Sequence, residues 1–358
     1  MKSDRLSIRT ISSRIKVSTA TVSRVLNNKP DVSHETRQKV LSYLRQTGYR
    51  PRLTSGALRL VGLVDTFQRH TLSSYYLSTI LESLDRKTRA VACNTVLVPS
   101  EQVLGQLATF GHSSLLKRLD GVIWMEPLYT RVIHDAVRAA GVPCVVINNC
   151  EEDVPVDVVQ SDNRSSSRQA VEYLVNLGHV SIGFLGGWLH LSNHKDRFAG
   201  YRERMESAGI AVRQEWVIDD VTLWNDEGGA EGFHRLMGRK ERPTAVLLCS
   251  DYLAVGAYRA AREMGLSIPG DVSIVSFDDF PLARFLSPAL TTFRQPLQEM
   301  GEISAAELAR RMAGDAGPAV RHSLRCPLIV RDSVKALVPN GSTVPWGGVP
   351  PGKEERTA

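Results

Sequence analysis

Polar side chains recur along one side of the run Val17-Ser18-Thr19-Ala20-Thr21-Val22-Ser23-Arg24-Val25-Leu26-Asn27. A guanidinium at Arg24 can donate two parallel hydrogen bonds to a guanine edge, whereas Thr19 and Ala20 offer only small polar or methyl contacts to a base. Thr21 and Ser23 suit phosphate contact or fixing of the helix, and Arg9, Arg14 and Lys29 suit phosphate or solvent. The chemistry on offer is recognition by hydrogen bonds, not bond-making. Presenting it requires a helix. Ser18 can cap one by accepting a first-turn amide, and Val22, Val25 and Leu26 recur at helical spacing on the other face. Upstream, Ile8, Ile11 and Ile15 form a second apolar stripe, so two short helices would meet at a tight turn around Lys16-Val17. That is the pattern of a helix-turn-helix, whose second helix enters the major groove. The plainer alternative is a helical pair inside an ordinary core, and charge argues against it. Residues 1–60 hold thirteen Lys or Arg against three acids (Asp4, Asp31, Glu35), so they carry about +10 while the other 298 residues carry about −4. A basic module on a mildly acidic body is the footprint of nucleic-acid binding.

A second constellation lies far down the chain. Arg197 opens a predicted helix and Asp278 ends a predicted strand, where ligand contacts gather in parallel sheets. A guanidinium fork and a carboxylate can jointly hold adjacent hydroxyls, one donating and the other accepting. Motifs for bond-making are missing: there is no Walker-type loop, no Gly-x-Ser-x-Gly elbow and no metal-ligand spacing. Gly183 to Gly187 lacks dinucleotide spacing, and the irregularly placed His179, His190 and His194 read as loop histidines. No enzyme activity, cofactor or metal is expected. The five cysteines are scattered and mostly flanked by apolar residues, as buried thiols in a reducing cytoplasm would be. No apolar run approaches the ~18 residues needed to span a bilayer, and Met1-Lys2-Ser3-Asp4 leads into no secretory signal. A cytoplasmic protein with no membrane partner is expected.

In chain order, a third helix is predicted over 35–46, with Ser33 as its N-cap and Val40, Leu41 and Leu44 closing a three-helix unit. Gly48 and Pro51 end it. From Leu60 short apolar runs alternate with longer amphipathic ones. Strands are predicted over 60–64, 95–98, 121–124 and 144–147, with helices over 78–90 and 131–140 and an irregular or helical piece over 108–118. The rhythm restarts with helices over 165–177, 197–208, 228–237 and 254–264, and strands over 182–185, near 217, 245–249 and 272–277. Such alternation predicts parallel doubly wound sheets in two successive lobes, with a ligand held between them.

Specific stretches also resemble a known family. Ser7-Ile8 through Asn27, then Val32-Ser33-x-Glu35-Thr36-Arg37 and Gly48-Tyr49-Arg50-Pro51, are similar to the DNA-binding headpiece of the LacI/GalR family of bacterial repressors. The second lobe resembles the same family in Asp162-Asn163-Arg164, Arg197-Phe198-Ala199-Gly200-Tyr201, Phe277-Asp278-Asp279, Pro288 to Thr292 and Gln295-Pro296. The resemblance covers roughly residues 7–333 and implies an α/β chain: a three-helix headpiece followed by a two-lobe, periplasmic-binding-protein-like domain. It implies a headpiece over 1–51, a hinge over 52–60 and an effector-binding and dimerisation domain over 61–335. Residues 336–358, rich in Pro and Gly, are expected to form a disordered tail.

By resemblance, Ser7, Ser18, Thr19, Ala20, Thr21, Ser23, Arg24 and Asn27 are the DNA-facing residues, and Leu58 is the apolar wedge that enters the minor groove and bends the duplex. Gly56 and a short linker depart from the family there. Tyr75, Tyr76, Asn148, Arg197, Trp224, Ser250 and Asp278 are the implied effector residues; Asn148 and Ser250 stand where the family often has Asp and Asn. For the aromatics the alternative is simple core packing. The expected function is regulation of transcription, as a repressor, through an inverted-repeat operator on double-stranded DNA. A homodimer would bind it, under control of a small carbohydrate. The alternatives are a solute-binding protein without a regulatory role and a purine-sensing regulator of the same family.

Overall fold

The computed structural model describes residues 8–26, 32–47, 59–65, 75–90, 93–187 and 192–337. The chain divides into two compact units, Met1–Arg59 and Leu60–Ala358. In the first, α1 (Ile8–Ile15), α2 (Thr19–Leu26) and α3 (His34–Thr47) enclose a small core of Ile11, Ile15, Val22, Val25 and Val40. Those are the apolar positions whose spacing predicts the helices.

The second unit holds two six-stranded sheets. Along the chain come β1 (Arg59–Asp65), α4 (Tyr75–Ala90), β2 (Cys93–Pro99), α5 (Ser100–Phe110), β3 (Gly121–Trp124), α6 (Arg131–Ala139), β4 (Cys144–Ile147) and β5 (Asp157–Ser161). They are followed by α7 (Asn163–Asn176), β6 (Ile182–Leu185), α8 (Ser192–Ser207), β7 (Val217–Ile218), α9 (Asp226–Met237), β8 (Ala245–Leu248), α10 (Asp251–Glu263) and β9 (Ser273–Asp278). The last elements are β10 (Thr291–Arg294), α11 (Leu297–Met312), β11 (Arg321–Leu324) and β12 (Leu328–Ile329). The first sheet has the order β11-β5-β4-β3-β1-β2 and the second β12-β10-β9-β8-β6-β7. The neighbours from β11 through β1 in the first sheet, and from β10 through β7 in the second, pair in parallel, while β10 and β12 are antiparallel. Strands such as β3, β6 and β8 are buried along their whole length, which is why they read as unbroken apolar runs.

The lobes are not successive, contrary to the sequence expectation. The chain crosses between them three times: from β5 to α7, from β10 to α11, and from β11 to β12. The returning helix α11 packs on α4 so closely that a Cβ on Gly301 would meet the Ser83 hydroxyl at 1.9 Å. Arg311 on α11 clasps the buried Asp157 of β5 with both ends of its fork, at 2.6 and 2.7 Å. A periodic pattern cannot report such a return, because it shows element type and not partner. The predicted piece over 108–118 is also corrected. The helix lies over Ser100–Phe110, ends where Gly111 takes φ +67°, and is followed by a 3-10 turn at Leu116–Arg118.

Candidate functional site

In the first unit the Ser18 hydroxyl accepts the Thr21 amide at 2.9 Å, capping α2 as the sequence requires. Lys16 takes φ +54°, and the Val17 amide donates to the Ser12 carbonyl at 3.2 Å; together these close the turn between the two helices. With Val22 and Val25 buried, Thr19, Ala20 and Arg24 are exposed and Thr21 is half-buried. Ser7, Asn27, Leu58 and the Ser23 side chain lie outside the described residues.

The other site residues meet at the carboxyl ends of strands in the second unit. Asp278 closes β9 and is almost fully buried. Its Oδ2 accepts from the Ser250 hydroxyl at 2.7 Å and from the Asp251 amide at 3.3 Å, while its Oδ1 accepts from Gln295 Nε2 at 2.6 Å. Three donors leave room for a further hydroxyl on the same carboxylate. Ser250 caps α10, so one side chain serves both the helix and the site. Arg197, on the first half of α8, is held by Asn163 Oδ1 at 2.8 Å and the Cys249 carbonyl at 2.5 Å, and lies 4.4 Å over the Phe277 ring. The two bonds use Nε and Nη1 of its fork. Charge is concentrated here. Burial pushes the Asp278 carboxyl up from its ordinary range, against the pull of the Arg197 guanidinium. Asp251 directly behind it is pushed well above that range by burial and by the charge of Asp278.

On the facing lobe, Asn148 follows β4 and donates through Nδ2 to the Tyr76 hydroxyl at 2.5 Å, while its Oδ1 accepts the Ser161 amide at 3.2 Å. Burial raises the Tyr76 phenol far above its usual range, so it stays neutral. Both tyrosines lie on the first turn of α4, which starts three residues earlier than the pattern predicts. Tyr75 meets Phe280 of the second lobe edge-on, with ring centroids 5.7 Å apart. Asn148 and Asp278 stand at φ +64° and +123°, sparsely populated conformations for non-glycine residues. Such strain collects where the chain is shaped for function.

The structure therefore brings Tyr76, Asn148, Arg197, Ser250 and Asp278 to facing strand ends, with Tyr75 at an exposed edge. Trp224 is half-buried and stacks on His194, ring centroids 4.0 Å apart and planes 20° from parallel. His194 is a correction: it reads as a loop histidine but is a buried residue of α8. Gln295, Ser161 and Asn163 were visible only as family signatures or not at all. The Ser161 hydroxyl donates to Gln295 Oε1 at 2.9 Å, which continues the Asp278 network into the first lobe. Asp65, fully buried at the end of β1, carried no signal beyond its type. Among the described residues no group of His, Cys, Asp and Glu could hold a metal ion, and no helix is long and apolar enough to cross a membrane.

A two-lobe clamp with buried charge at its strand ends, borne on the same chain as a basic helix-turn-helix, defines a class of ligand-responsive DNA-binding proteins. The model for bacterial regulatory proteins of the lacI family matches residues 7–52, and that for the periplasmic binding protein-like domain matches residues 171–334. The ribose operon repressor of Haemophilus influenzae is 31% identical over 302 residues, covering 83% of this chain and 89% of the relative. Among solved structures, a complex of the transcriptional regulator CelR with cellobiose matches with a TM-score of 0.70 at 27% identity, over 92% of this chain and 100% of that one. The lac repressor dimer bound to operator and the anti-inducer ONPF matches with a TM-score of 0.67 at 26% identity, over 93% and 100%. This chain belongs to the lacI family of bacterial regulatory proteins.

Proposed function

We propose that this protein is a cytoplasmic transcription repressor that binds an inverted-repeat operator as a homodimer, its grip set by a small neutral sugar held between the two lobes. The observation that carries the reading is the pairing of an exposed Arg24 face on α2 with a buried Arg197–Asp278 site in one chain of this family. The solved relatives support both halves, one with cellobiose and one as a dimer on operator. Two headpieces are needed because a single small module buries too little for tight specific binding. The division of labour is a headpiece over 1–51, a hinge over 52–60 with Leu58 as the minor-groove wedge, an effector domain over 61–335 and a tail over 336–358.

A neutral sugar suits the donors and acceptors present. Asp278 and Arg197 supply one acceptor and one donor for adjacent hydroxyls, and Trp224 supplies a flat apolar face for the ring's C–H side. The family's regulators are DNA-binding proteins, and the site is read here as a binding site without an enzymatic role. The experiment is fluorescence anisotropy on an inverted-repeat operator, with and without cellobiose, ribose, maltose and purine bases. A sugar that shifts the operator titration supports the reading. A response to a nucleobase with every sugar silent would replace the sugar by a purine and leave the regulator standing.

A further inference from the structure

We propose that His194 is a positioning residue of the effector site: its imidazole stacks on the Trp224 indole and fixes the plane against which the effector's ring lies. The proposal rests on the effector reading given above. Trp224 sits in the irregular segment between β7 and α9, next to Leu223, which is 48% exposed. Its backbone belongs to no helix or strand, so side-chain contacts from other elements help to hold the indole's orientation. His194 supplies one from thirty residues away in sequence, in near-parallel stacking contact.

Two observations relate the stack to the site. His194 is only 4% exposed, whereas the indole keeps part of its surface open. The open part of the indole is surface that the imidazole does not cover. His194 also sits on the turn of α8 that precedes Arg197, whose guanidinium is tied to Asn163 and to the Cys249 carbonyl. One helix thus carries both the ring stacked on the aromatic face and the guanidinium fork of the site. The distance and tilt between these two ligand contacts are set by a rigid element and not by the loop.

The test incorporates 5-fluorotryptophan into the full chain and follows its five tryptophan resonances, identifying that of Trp224 by its loss in Trp224→Phe. In the wild type the Trp224 resonance should be single and sharp. His194→Ala should broaden or split it, and His194→Phe, which keeps a stacking ring, should restore it. An unchanged resonance in His194→Ala would overturn the proposal, whatever the effector proves to be. The same variants are then titrated with cellobiose and ribose. His194→Ala should weaken binding of the responding sugar about two- to twelvefold, the range for loss of one aromatic pair, with recovery in His194→Phe and unchanged operator affinity. Equal sugar affinity in all three proteins would also overturn it. Silence of both sugars alongside a disturbed resonance would count against the sugar reading and leave the positioning role established.

Discussion

The two walls of the cleft are made of different materials. The second-lobe wall carries buried ionisable groups, with Asp278 at the end of β9, Arg197 on α8 and Asp251 at the start of α10. The central pair of the first-lobe wall is neutral, a phenol and a carboxamide bonded to each other at 2.5 Å. Buried charge is costly unless it is paired and hydrogen-bonded. The second lobe meets that requirement with donors from the β8–α10 turn, α10 and the β10–α11 crossover. On the facing wall the Tyr76–Asn148 pair is uncharged, with the buried Asp65 beside it at the end of β1. If the effector is held between these walls, the difference predicts that its discrimination depends more on the second lobe than on the Tyr76–Asn148 pair.

Breaking the charged wall should have the largest effect. Asp278→Ala removes the carboxyl acceptor beside the Arg197 guanidinium and should weaken the effector about 10- to 100-fold or more, the range for hydrogen bonds that involve a charged group, as read by calorimetry. Operator binding by the ligand-free variant should survive. Arg24→Ala comes next, at about 1–3 kcal/mol on the best operator with relaxed preference at one position per half-site. Competition against random DNA checks this; equal losses on both would make Arg24 a phosphate contact. On the neutral wall, Tyr76→Phe removes one uncharged hydrogen bond and should cost effector binding only about 0.5–1.5 kcal/mol. A Tyr76→Phe loss as large as that of Asp278→Ala would erase the proposed division between the walls.

The smallest effect is on stability and follows from the raised carboxyls. Between the ordinary carboxylate range and the raised values, the folded chain holds more protons than the unfolded one. The stability these two groups contribute is therefore present at low pH and lost as pH rises through their folded-state values. Asp278→Asn removes one member of the pair and should leave Tm at neutral pH unchanged or slightly higher, with a flatter dependence across that window. Thermal melts between pH 4 and pH 8, at roughly half-unit steps spanning the carboxylate range, would show it; a lower Tm at neutral pH would mean that the ionised pair stabilises the fold.

Legibility in the sequence followed the same divide between local and distant causes. The α1–α2 turn and the Ser18 cap depend on neighbours in sequence, and spacing alone predicts them. Strands β3, β4 and β6 fall on the predicted residues because a strand buried on both faces shows as an apolar run. The first turn of α8, Ser192-Asn193-His194-Lys195-Asp196, has no apolar stripe. It is helical because His194 and Arg197 find partners on other elements, so its histidine reads as a loop residue. Helix α5 buries only Ser100 and Val103 and gives a correspondingly faint pattern. Gln295 bridges Asp278 and Ser161 only because the chain crosses between lobes, which no one-dimensional pattern records.

The central claim is that Asp278 makes the operator-binding function answer to a ligand. The most direct measurement is one anisotropy titration of operator with wild type and with Asp278→Asn, each with and without the sugar that shifts the wild-type curve. The account predicts that both proteins bind operator equally well alone and that only the wild-type curve moves with the sugar. An Asp278→Asn curve that shifts at the same sugar concentration as the wild type would contradict it.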